Sequence, residues 1–76
     1  MNFLTQASTA FYREELRAHV LEAWRSAEEL VALRWRAYLD ADSETRPAAF
    51  AAYLAALDVE EGAADELWQM SLPEAA

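Results

Sequence analysis

Residues 9–41 read TAFYREELRAHVLEAWRSAEELVALRWRAYLDA, with no glycine or proline among them. Leu16, Val20, Ala23, Trp24, Ala27, Leu30, Val31, Trp35 and Tyr38 recur here at i, i+3, i+4 and i+7. At about 100° per residue this spacing places them on one stripe of a helix. Arg13, Glu14, Glu22, Arg25, Glu29 and Arg36 then face away. Ser8 and Thr9 are both able to cap the start by accepting a hydrogen bond from an orphan amide. The stretch predicts one long amphipathic helix over about 9–41. Phe3, Leu4, Ala7 and Phe11 lie roughly opposite its stripe, which implies a bend or a separate first turn near Ser8.

Outward from this helix, Asp40-Ala41-Asp42-Ser43-Glu44-Thr45-Arg46 is the only polar run and reads as the main loop. Pro47 suits the first position of a helix, and it discourages helical geometry at Arg46 before it. A second helix is expected over about 47–57, with Phe50, Tyr53, Leu54 and Leu57 on one face. Asp58-Val59-Glu60-Glu61 has the spacing of a capping box and predicts a third helix over about 59–71, ending before Pro73. The ends, 1–8 and 73–76, read as frayed.

Composition points the same way. The 76 residues include 18 alanines and no isoleucine, and valine and threonine together number six. Strands draw on β-branched residues and turns on glycine, of which there is one, so a sheet protein is excluded in favour of an all-α domain. The length allows one small domain over 1–76, a compact helical bundle. A helix of this length would span about 45 Å, whereas a compact globule of this size is only about 30 Å across. The stripe therefore outruns its own cover, and dimerisation is expected to complete the bundle.

Fourteen acids against six arginines give a net charge of −8. Phosphate backbones and anionic membrane surfaces need a cationic face, so direct binding to nucleic acid or membrane is not expected. An acidic surface suits a basic partner, or simply keeps a small protein soluble. The first residues lack the basic and apolar regions of a signal peptide, and no window has the apolar length of a membrane span. A cytoplasmic protein is the expectation. Without cysteine, neither disulfides nor thiolate metal sites arise.

Candidate chemistry is sparse. His19, the single histidine, shares a helix edge with Glu15 and Glu22, a spacing compatible with a metal or cofactor carrier. A solvated acidic edge explains the same residues, and no Glu-x-x-His pair occurs. No serine lies in a Gly-x-Ser-x-Gly turn, and one glycine cannot form a phosphate-cradling loop. The sequence therefore points away from an enzyme and toward no cofactor or metal. Pro47 to Met70 bears a faint likeness to a helix-turn-helix, with Leu57-Asp58-Val59 at the turn. The would-be recognition helix carries Glu60, Glu61, Asp65 and Glu66, which repel phosphate.

Arg34 sits within the apolar stripe. It reads either as a snorkelling arginine or as an interface arginine paired to an acid across a dimer. Trp24, Leu30, Val31, Arg34, Trp35 and Tyr38 form the expected interface, and Glu60, Glu61, Asp65 and Glu66 the expected acidic surface. The sequence thus predicts a small acidic interaction protein that regulates or inhibits a partner, in its sharper form as an acidic mimic of nucleic acid. The alternatives are a helix-turn-helix-like transcriptional regulator using 47–70 and a carrier using His19.

Overall fold

The computed structural model describes the backbone from Asn2 to Leu72 and the side chains of residues 9–72. It contains two helices, α1 (Asn2–Asp40) and α2 (Arg46–Ser71), joined by a short turn into an antiparallel hairpin. No strand occurs among the described residues. The expected fraying at 73–76 lies outside them. At the other end α1 already includes Asn2, with no interruption near Ser8.

The expectation of two short helices is corrected. Residues 46–71 form one helix that passes through Asp58 without a break. The reason is energetic: an internal Asp costs about 0.5 kcal/mol relative to alanine. A break there would surrender several backbone hydrogen bonds and the packing of the following residues on α1. Ala56, Glu60, Ala63, Leu67 and Met70 continue the inward-facing spacing across the supposed boundary, and all are buried or half-buried.

The compact bundle is corrected with it. The hairpin measures 65 × 21 × 12 Å and has a radius of gyration of 18.2 Å. A compact chain of this length would have a radius near 11 Å. One pair of helices offers a single seam rather than an enclosed core, so among the described residues only Val20, Ala27 and Ala56 are buried, at 6%, 4% and 2% exposure. Two of these three are alanines, whose small side chains a single facing helix is enough to cover. Leu21, Trp24, Leu30, Val31 and Tyr38 of α1, and Tyr53, Leu57, Leu67 and Met70 of α2, flank that seam half-buried.

The turn is built around Asp42. Its Oδ1 accepts from the Glu44 amide at 3.0 Å, the Thr45 amide at 2.9 Å and the Thr45 hydroxyl at 3.0 Å. Its carbonyl accepts from the Arg46 amide at 2.9 Å, so a helical turn begins before α2 itself. The Arg46 guanidinium donates to the Ala41 carbonyl at 3.2 Å. This capped turn draws Arg46 into the helix despite the following proline, one residue earlier than expected. Donation from the Thr45 amide, then from its hydroxyl, with a smaller share from the Glu44 amide, holds the Asp42 carboxyl below its ordinary 3.8, outweighing a small desolvation effect.

A carboxyl depressed in the folded state contributes stability above its unfolded pKa, and that contribution disappears as pH falls through the folded value. Asp42→Asn should therefore lower the melting temperature at neutral pH. The gap to wild type should shrink as pH drops below 3.8. Thermal unfolding of both proteins across pH tests this, and a gap independent of pH would count against the capping role.

Gly62 lies in the interior of α2, and a Cβ built on it meets nothing within 4 Å. Gly62→Ala should stabilise the protein by about 0.5–1 kcal/mol, because it restricts the unfolded chain without a clash. For a domain of this size that corresponds to a rise of about 2–8 °C in melting temperature. A fall on calorimetry would show that Gly62 is held for another reason.

Candidate functional site

The largest organised feature is a ring of four aromatic side chains next to the turn. Trp35 and Tyr38 on α1 face Phe50 and Tyr53 on α2. Centroids lie 5.4 Å apart for Trp35–Tyr38, 5.1 Å for Trp35–Tyr53, 5.3 Å for Tyr38–Phe50 and 6.3 Å for Phe50–Tyr53. All four pairs are tilted, between 35° and 50°, a geometry that lets ring edges meet ring faces. The ring is not sealed: Trp35 keeps 42% of its surface exposed and Phe50 41%.

About two to three helical turns further from the loop, Trp24 Nε1 donates to Glu60 Oε2 at 2.9 Å, tying the two helices across the seam. Both side chains are half-buried. A shallow groove of about 420 Å³ runs between this bond and the aromatic ring, lined by Glu28, Val31, Ala32, Trp35, Tyr53 and Glu60. A second groove, of about 480 Å³, lies at the open end of the hairpin against Tyr12, Leu16 and Met70.

The six expected interface residues are split by the structure. Trp24, Leu30, Val31 and Tyr38 are half-buried, whereas Arg34 and Trp35 are exposed. Trp24, Trp35 and Tyr38 engage residues of α2 through the hydrogen bond and ring contacts above. Arg34 makes no ion pair with any described residue. Of the expected acidic surface, Glu61, Asp65 and Glu66 are exposed, while Glu60 is drawn into the seam by Trp24. Phe50 and Tyr53, expected only as one face of a second helix, and Glu60, expected as acidic surface, are organising residues whose pairing with α1 the sequence did not reveal. Their signal was an antiparallel register that brings the start of the second helix beside Trp35 and Tyr38.

His19, Glu15 and Glu22 are exposed, and no group of three His, Asp or Glu side chains is placed to hold a metal ion among the described residues. Residues 47–70 lie within one helix, so the helix pair that a helix-turn-helix reading requires is not present. No described helix is long and apolar enough to cross a membrane. Comparison with known proteins finds no matching family model, no matching curated relative and no matching solved structure.

Proposed function

We propose that this chain is a helical-hairpin interaction module, a cytoplasmic protein that regulates or inhibits another protein by binding it. The observation that carries this reading is the amount of large apolar surface left open on so thin a molecule. Phe11, Tyr12, Leu33, Leu39, Val59 and Trp68 are each more than half exposed, and Trp35, Phe50 and Leu54 nearly so. Apolar side chains exposed in this number mark binding surfaces rather than a finished exterior. The reading needs no bond-making step and no cofactor.

The acid-rich exterior favours a basic partner. Glu14, Glu15, Glu22 and Glu29 on α1 and Glu61, Asp65 and Glu66 on α2 are exposed. In the sharper form of the proposal, this rod of negative charge occupies the nucleic-acid site of a basic protein. Capture from a lysate of the source cell, using wild type and Trp35→Glu at rising salt, tests both forms. A partner held by wild type and lost by the variant is expected. A basic partner released by moderate salt supports the mimic form, and one retained at high salt excludes it. Retention of nothing by wild type overturns the proposal.

A further inference from the structure

The geometry points to a second copy of this chain as the occupant of an open seam on α2, closing two hairpins into a four-helix bundle. Resting on the interaction-module reading, this inference specifies one partner for the open apolar surface. Along α2, Phe50, Leu54, Leu57, Glu61, Ala64 and Trp68 recur at alternating four- and three-residue steps. That is the spacing of a packing seam between helices. It lies one position beyond the seam already used against α1, which runs through Tyr53, Ala56, Glu60, Ala63 and Leu67. Helices of a four-helix bundle use two adjacent seams of this kind. Here the second seam is largely open: Trp68 is 65% exposed, Leu54 45% and Phe50 41%. Glu61 is exposed, Leu57 and Ala64 are half-buried, and Phe50 keeps its contact with Tyr38 of α1.

Two observations select a second copy. The first is area. The chain exposes 6307 Å², against about 4,700 Å² for a compact protein of its mass, an excess of about 1,600 Å². Two copies that each removed this excess would bury a total within the range of obligate homodimers.

The second is that the seam complements itself. A two-fold interface opposes each residue with its mirror position. With two α2 helices antiparallel and centred midway between Leu57 and Glu61, Phe50 of one copy meets Trp68 of the other. Leu54 meets Ala64, large against small, and Leu57 meets Glu61. Glu61 is the single polar member and fixes the register at a cost in affinity, as one polar residue in a seam does.

Sedimentation of the purified chain alone tests this without reference to any other partner. Wild type, 8.6 kDa per chain, should sediment as a dimer. Association should strengthen with salt, because each copy carries −8. Trp68→Glu should give a helical monomer, whereas Val59→Glu, on the opposite side of α2, should remain dimeric. Glu61→Leu should tighten the dimer by about tenfold, the effect of removing a seam charge. This gain of affinity separates the seam from a fold that Trp68→Glu merely damages.

A monomeric wild type at high concentration overturns the inference, as does dissociation by Val59→Glu with Trp68→Glu still dimeric. A monomer that nevertheless captures a partner from the lysate leaves the module reading standing without this one. A dimer that captures nothing does the reverse.

Discussion

Ala56→Asp should leave the chain largely unfolded at neutral pH. Ala56 is the most buried side chain described, at 2% exposure, and it lies in the seam between the two helices. An aspartate there would carry an uncompensated carboxylate into the seam, one helical turn from Glu60 and its hydrogen bond to Trp24. Burial of an unpaired charge costs several kcal/mol, and the stability of a small domain is itself only a few kcal/mol. Ala55→Asp is the matched control, because Ala55 is exposed on the same helix. The control should cost about 0.5 kcal/mol, the price of aspartate in a helix interior. Far-UV circular dichroism of the two variants decides the matter. Equal helicity and equal melting would show that the seam at Ala56 opens without penalty.

Glu60→Ala should have the next largest effect, a loss of about 1–3 kcal/mol, because it leaves the half-buried Trp24 N–H without its partner. Glu60→Gln keeps a side-chain oxygen in place and should recover most of that loss. Trp24→Phe removes the donor instead. Once the donor is gone, the further substitution Glu60→Ala should cost clearly less than it does in wild type. Strictly additive losses in chemical denaturation would mean that the 2.9 Å contact contributes nothing specific.

Much of the first helix was legible in the sequence, because nine apolar residues between Leu16 and Tyr38 keep helical spacing with no breaker among them. The turn was legible in outline, because the polar run 40–46 and Pro47 mark a loop and a helix start, whereas the part Asp42 plays in holding it was not. What misled was Asp58-Val59-Glu60-Glu61. An Asp with an acid three residues later is a capping signal in a neutral context, but any acid-rich helix produces that spacing by chance. The competing signal was the inward series through Ala56, Glu60 and Ala63, and it prevailed because a continuous helix keeps all of its contacts with α1.

The candidate surface was half legible. Trp24, Trp35 and Tyr38 stood out as large residues on the stripe. Their partners did not, since pairing Phe50 and Tyr53 with them requires the register that the turn imposes. Glu60 read as solvent-facing because a carboxylate is normally so, and the indole donor that draws it inward lies on the other helix.

The position of the four aromatic rings beside the turn also sets the order in which the hairpin assembles. Tyr38 and Phe50 are close in sequence, so bringing them together closes a short loop, whereas Arg13 and Met70 enclose most of the chain. Loop-closure entropy grows with the length enclosed, which makes the turn end the least costly place to begin. The helices then zip outward, each new contact adding little further loop, and a topology of such local contacts folds fast. Substitutions at Tyr38 or Phe50 therefore act mainly on the folding rate, and those at Leu16 or Met70 mainly on the unfolding rate. The open end is the last part to form and the first to come apart.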